Sequence, residues 1–219
     1  MKAWDRVGPA LGIVSWIVII TGFVIHGYPT MDASAQDLVR WASSTDTNRF
    51  VTGIFIEDLG YPLLLIFLAW VCFKLWQAGG AAWLLGLGLA AYVVWASIGM
   101  ADQGIWIALL RTGKAGADGM NLTATYQMAS QTYNSINPVV GLATVAVGLG
   151  ALTAVTAPRW IAWTAIGIGV AIAATAYLPS INSALGLVLL VWSVAVAIRF
   201  LVRPPQAITA AGTVPTSTS

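Results

Sequence analysis

Three acidic residues interrupt stretches of sequence whose composition otherwise suits lipid. Glu57 and Asp58 lie in the apolar run Phe50–Phe73, and Asp102 lies in the run Ala81–Leu110. An ionisable group at the centre of a membrane span costs about 2.5–3.5 kcal/mol on insertion scales, so a group of them indicates a functional site. Carboxyl groups placed there can hold a proton or bind a cation. The sequence does not identify the reaction or the ligand.

Other polar residues are expected to share one site with these acids. Glu57 lies eight residues after Arg49 and Asp102 lies nine residues before Arg111, so both acids are about 12–13 Å from the same, outer side of the membrane. His26 ends an apolar run on that side as well. The predicted outward-facing site contains His26, Glu57, Asp58, Asp102, Gln103, Gln127, Gln131, Asn134 and Asn137.

Aromatic residues are expected to line this site. Trp95, Asp102 and Trp106 are spaced i, i+7 and i+11, which places them on one stripe of a helix. Aromatic rings attract cations and exclude water. The predicted lining consists of Tyr61, Trp95, Trp106 and Tyr133.

The charge balance of the site predicts that one acid is neutral. Apart from Arg199, near the end of the last run on the side of the termini, no Lys or Arg lies within the apolar runs, so the cationic partners near the acids are His26 and, from the ends of the runs, Arg49 and Arg111. Three carboxyl groups at similar depth cannot all ionise cheaply, because each pays desolvation and repels the others. We expect Asp102, flanked by two Trp residues, to be protonated at neutral pH.

The sequence leaves three functions open. In the leading interpretation the site binds or transports a small cationic or amphipathic molecule with proton linkage. In the second, the chain is an intramembrane enzyme whose protonated carboxyl donates a proton to an isoprenoid or lipid, while aromatic rings stabilise the resulting cation. In the third, the chain is a structural or accessory subunit whose polar residues only bond helices together.

Motifs for metal, redox or nucleophilic chemistry are absent from the sequence. Cys72 is the single cysteine, so neither an intrachain disulfide nor a CxxC motif is available. There is no HExxH metal motif and no GxSxG elbow. We therefore expect no cofactor and no metal, although the sequence leaves open whether His26 and the acids bind a divalent ion.

The composition indicates an integral membrane protein. Of 219 residues, 58% are hydrophobic and 8% charged, and the mean hydropathy is +0.83, which points to the lipid bilayer as the first partner. The net charge of +2, with ten scattered Lys and Arg residues, argues against a nucleic-acid surface. A homo-oligomer is compatible with the sequence.

Six apolar runs predict an all-α polytopic bundle of six transmembrane helices. The runs are Pro9–Gly27, Phe50–Phe73, Ala81–Leu110, Tyr126–Ala157, Trp160–Leu178 and Ala184–Val202. Six of the ten Lys and Arg residues fall on the side of the termini, so both termini are expected to be cytoplasmic. Residues 1–203 would form the transmembrane domain, and 204–219, rich in Pro, Ala, Thr and Ser, a disordered cytoplasmic tail.

Three local patterns need separate interpretation. The N-terminus imitates a cleavable signal peptide, but we expect the run Ala10–Ile25 to be retained because it is longer than a usual signal core. The loop Tyr28–Asn48 is either a short interfacial helix, capped by Thr30 or Asp32, or a solvated loop. Small residues recur at every fourth position in two stripes, which predicts close packing of helices at both. The stripes are Ala82, Gly86 and Ala90, and Ala165, Gly169 and Ala173.

A resemblance adds an expected location. Gly148–Leu152 (GLGAL), followed by Pro158–Trp160 and Trp163, resembles an uncharacterised bacterial family, a domain of unknown function, of small multi-pass membrane proteins. The resemblance covers about residues 141–178. It implies a helical bundle in the bacterial inner (plasma) membrane and supplies no activity and no site residue.

Overall fold

A computed structural model of the chain describes residues 4–30, 32–203 and 205–207. Within these residues the chain forms seven helices and no strand. The helices are α1 (Trp4–His26), α2 (Ala35–Ser44), α3 (Thr47–Gln77), α4 (Ala82–Lys114), α5 (Gly119–Leu152), α6 (Arg159–Ala174) and α7 (Pro179–Val202). The prediction of an all-α bundle is confirmed. Of the predicted tail only residues 205–207 are described, and the rest of it lies outside the described residues.

Five of these helices are long and apolar enough to cross a membrane: α1, α3, α4, α5 and α7. They indicate an integral, multi-pass membrane protein. Helix α6 is also apolar but has only 16 residues, or about 24 Å at the helical rise, against about 30 Å for the hydrocarbon core. The apolar run that predicted a span over Trp160–Leu178 therefore continues past the end of its helix at Ala174.

Contacts between segments place several helix ends together. Nζ of Lys74, near the end of α3, lies 2.6 Å from Oδ1 of Asp5 at the start of α1. Thr156, in the α5–α6 link, donates a hydrogen bond of 2.8 Å to the carbonyl of Gln206 beyond α7. Backbone hydrogen bonds also join the α5–α6 link to the α3–α4 turn. This end of the bundle is termed the base, and the opposite end, where α1 ends at His26, is termed the top.

The two small-residue stripes behave differently. On α6 the close packing is confirmed, because a Cβ added at Gly169 would lie 2.5 Å from the carbonyl oxygen of Gly141 on α5. On α4 the prediction is wrong within the described chain, since a Cβ added at Gly86 would meet no other segment within 4 Å and Ala82 and Ala90 are exposed. Helix α4 instead packs through Gly88, which faces α5. The exposed stripe borders an apolar groove of about 380 Å³ near the base.

Helix α2 settles the alternatives for the first outer loop. It begins after Ser34, whose hydroxyl accepts a hydrogen bond from the Asp37 backbone N–H while the Asp37 carboxylate accepts one from the Ser34 N–H. This capping box replaces the expected caps at Thr30 or Asp32. Leu38 and Ala42 are fully buried, and α2 packs on α4 and α5. The amphipathic helix therefore covers the top of the bundle.

Candidate functional site

The site is built on a close approach of α1 and α3. A Cβ added at Gly22 would lie 2.4 Å from the backbone nitrogen of Glu57, and one at Gly53 would lie 2.7 Å from the Cβ of His26. Because both positions lack a side chain, the two backbones meet and the His26 ring reaches Glu57. Nε2 of His26 lies 2.6 Å from Oε2 of Glu57, and the two side chains are 0% and 7% exposed. The expected partnership of the histidine with an acid is present.

The second oxygen of Glu57 is also occupied. The hydroxyl of Tyr61, one turn later on α3, donates a hydrogen bond of 3.1 Å to Oε1 of Glu57. The Tyr61 ring packs at 5.5 Å from the ring of Trp95 on α4, and its hydroxyl lies 3.9 Å from the Cβ position of Gly99. Tyr61 therefore joins α3 to α4, and Trp95 acts on the site through Tyr61.

Asp102 is the second buried acid, with 4% of the residue exposed. Its Oδ2 accepts a hydrogen bond of 3.0 Å from the indole N–H of Trp106, one turn later on α4. Its Oδ1 is buried and has no hydrogen-bond partner in the described chain. Asp102 is close enough to Glu57 for their charges to interact. The structure thus brings both acids into one electrostatic unit.

Tyr28 belongs to the site and was missed by the sequence analysis. Its hydroxyl donates a hydrogen bond of 2.6 Å to Oε1 of Gln103, and its ring lies 4.3 Å from His26 and 4.7 Å from Trp106. Burial, and then the nearby charge of Glu57, raise the pKa of Tyr28, so the phenol remains a donor. The available signal was its position two residues after the only histidine, where Gly27, at φ +60°, turns the chain.

Other predicted residues lie at the edge of the site or outside it. Asp58 is half-buried, and its Oδ1 has no partner among the described residues; Glu57 and His26 are its nearby charges. On α5, Asn137 is buried with an unpartnered Nδ2 and Asn134 is half-buried.

Of the remaining predicted residues of α5, Gln127 and Gln131 point away from the bundle core, whereas Tyr133 lies at the edge of the site, close enough to Glu57 and Asp102 for their charges to act on it. Gln127 and Gln131 are exposed, and Tyr133 is 46% exposed. The buried face here carries Tyr126 and Ala129, because α5 packs these apolar residues in the cluster shared with α2 and α4. The polar stripe of α5 therefore does not face inward at Gln127 and Gln131, contrary to expectation.

Aromatic contacts close the site from above. The ring of Trp41 on α2 lies 5.4 Å from Phe50, which lies 5.5 Å from His26. The hydroxyl of Tyr126 donates a hydrogen bond of 2.9 Å to the carbonyl of Thr30 in the α1–α2 linker. Helix α2 and this linker therefore form a roof over the buried polar groups.

The rim arginine expected to balance the acids has another contact. Nε of Arg49 donates a hydrogen bond of 2.9 Å to the carbonyl of Ile25, which caps the C-terminal end of α1. Among the described residues no three His, Cys, Asp or Glu side chains are grouped to hold a metal ion. The site therefore consists of one His–Glu pair, a separate acid, and their tyrosine and tryptophan partners.

Comparisons of the chain with protein-family models, curated proteins and solved structures found no match. The family resemblance of residues 141–178, and the bacterial location it implies, stay predictions. Function is therefore inferred from the chemistry of the site.

Proposed function

We propose that the chain is a six-span membrane protein, with both termini cytoplasmic, whose top-end site binds or transports a small cationic or amphipathic molecule with proton linkage. One observation carries the proposal. Glu57 is hydrogen-bonded through both oxygens by His26 and Tyr61, whereas the neighbouring Asp102 is equally buried with one oxygen unpartnered. A buried, unpaired carboxyl oxygen is costly, so its presence favours a role in binding.

The arrangement of helix ends supports the six-span topology. Asp5 and Gln206 both lie at the base, and a chain that leaves and returns to one side of a membrane crosses it an even number of times. Helix α6 contacts both α5 and α7 and supplies the sixth crossing if the chain beyond Ala174 completes it. The base would then be the cytoplasmic side and the top the outer side.

The charge of the site supports the proton linkage. Glu57 is paired with His26 and Asp58 is only half-buried, so Asp102 is the fully buried acid whose charge has no partner of opposite sign among the described residues. In a site of low dielectric an unbalanced carboxylate is expensive, so Asp102 is neutralised by a proton or by a cationic ligand, and the two compete. Binding of one cation at Asp102 then releases one proton, and a proton gradient can drive the ligand.

Liposomes containing the purified protein test this proposal. With an imposed pH gradient, the initial rate of uptake of radiolabelled phenethylamine should exceed the passive rate of protein-free liposomes, which the neutral amine crosses by itself, and the excess should disappear when the gradient is dissipated. Asp102→Asn should fold and lose the response, while Gln131→Ala, at an exposed position of α5, should keep it. Gradient-independent binding contradicts proton linkage. Conversion of an isoprenoid or lipid extract to product would favour the enzyme alternative, and normal function of Asp102→Asn would favour a structural role.

A further inference from the structure

We infer that the ligand of this site is an organic ammonium ion with an apolar body, and that the free oxygen of Asp102 accepts its N–H. The inference rests on the proposed function and narrows its ligand to one chemical class. It separates ammonium from guanidinium ions, which carry the same charge.

Glu57 is not available to bind a cation directly. Its Oε2 is held by His26 at 2.6 Å and its Oε1 by Tyr61 at 3.1 Å. A ligand that bound Glu57 would have to displace a buried histidine, and removal of one partner from a buried ion pair is strongly unfavourable. Within this unit Asp102 is therefore the acid that can accept a new hydrogen bond.

Asp102 has one carboxylate oxygen free to accept a hydrogen bond, and this favours a ligand that needs only one acceptor. The indole N–H of Trp106 occupies Oδ2 at 3.0 Å, and Oδ1 is left free. A guanidinium binds a carboxylate best through two parallel hydrogen bonds that use both oxygens, whereas an ammonium is a point charge that needs only one. Trp106 therefore acts as a selectivity residue as well as an aromatic wall.

The rings around Asp102 favour an apolar body on the ligand. Trp106 is 8% exposed and lies 4.7 Å from the ring of Tyr28 and 5.9 Å from that of Tyr126. Both tyrosine hydroxyls are already engaged, by Gln103 and by the carbonyl of Thr30. The tyrosine and tryptophan rings can therefore contact the ligand through their apolar surfaces and attract its charge by cation–π interaction.

The remaining charges fit a monocation. The titratable groups around Asp102 come from four segments: His26 on α1, Tyr28 in the linker, Glu57, Asp58 and Tyr61 on α3, and Tyr126 and Tyr133 on α5. Because Glu57 is paired with His26 and Asp58 is only half-buried, one positive charge is enough to neutralise the fully buried Asp102. A divalent ion would require more oxygen ligands than this one carboxyl offers.

A matched pair of probes tests the inference. Phenethylamine and phenethylguanidine share one body and are both cationic at pH 7.5, and their binding to the protein in nanodiscs can be measured by calorimetry. The wild-type protein should bind the amine at least tenfold more tightly. Trp106→Phe keeps a ring but frees Oδ2, so this preference should fall toward one. Trp163→Phe, at an exposed position of α6, is the control and should keep it.

Three results would overturn the inference: equal affinity of the wild-type protein for the two probes, an unchanged preference in Trp106→Phe, or unchanged amine binding in Asp102→Asn. The last variant provides the test if Trp106→Phe does not fold, and we expect it to weaken amine binding at least tenfold. If the wild-type protein binds both probes equally and releases a proton, only the ammonium assignment fails. If cations bind without proton release, the proposed function fails, whichever probe is preferred.

Discussion

The contact between α1 and α3 should not tolerate a methyl group at Gly22. A Cβ there would lie 2.4 Å from the backbone nitrogen of Glu57 and 2.6 Å from the carbonyl oxygen of Gly53. Ordinary contact begins near 3.4 Å, so Gly22→Ala must move the helices apart by about 1 Å. If the side chains keep their conformations, the distance of 2.6 Å between His26 and Glu57 lengthens by up to about 1 Å, which is enough to break the hydrogen bond.

We expect Gly22→Ala to lower the free energy of unfolding by about 1–3 kcal/mol, the usual cost of overpacking. Thermal unfolding in detergent measures this loss, and proton release on binding of phenethylamine reports the state of the site. Gly86→Ala is the matched control, because nothing lies within 4 Å of its Cβ position and a helical alanine is favourable. A Gly22→Ala protein as stable as Gly86→Ala, with unchanged proton release, would refute the packing argument.

Three further predictions concern the roof and the topology. The Cβ positions of residues 35 and 119 are 2.9 Å apart, so in a background without the native cysteine a disulfide between Ala35→Cys and Gly119→Cys needs the two segments to separate by only about 0.6 Å. This disulfide should hold α2 closed and slow phenethylamine binding until it is reduced, and equal rates before and after reduction would contradict the roof. Hydrogen bonds from Ser34 hold the pKa of Asp37 below its ordinary value, so they stabilise α2 above the ordinary carboxyl pKa, and this stabilisation is lost as the pH falls through the lowered pKa. In Ser34→Ala the amide-exchange protection of α2 should therefore depend less on pH in the acid range than it does in the wild-type protein. An unchanged pH profile would argue against the capping box. Topology reporters fused after the C-terminus and inserted in the α3–α4 turn should report a cytoplasmic location, and a reporter at Gly116 should report an external one. The opposite response at any of these positions would contradict the six-span topology.

The fold was predictable from the sequence where a local pattern determines it. Long apolar runs predicted the helices, and the outer ends of α4 and α5 extend beyond the predicted runs because their polar residues remain helical outside a bilayer. Helix α2 was one of two alternatives, since ten residues are too few to form a stable helix alone. Its formation depends on burial of Leu38 and Ala42 against α4 and α5, a tertiary effect that no local pattern reveals.

The sequence predicted how far along their helices the site residues lie, but not which of them face each other. Helical spacing placed His26, Glu57 and Asp102 on one side of the membrane, and the structure brings them together. Their pairing depends on Gly22 and Gly53, which lie on different helices and whose contact the sequence does not display. The sequence also did not determine the rotation of α5 about its axis, because either its polar stripe or its apolar stripe could pack against the neighbouring helices.

Proton release on ligand binding tests the central claim most directly. Calorimetric titration of the wild-type protein with phenethylamine near pH 7, in two buffers with different ionisation enthalpies, gives the number of protons released per ligand. We expect net proton release from the wild-type protein and none from Asp102→Asn, because the amide has no ionisable proton to exchange for the cation. Binding of phenethylamine to the wild-type protein with no proton released would contradict the central claim.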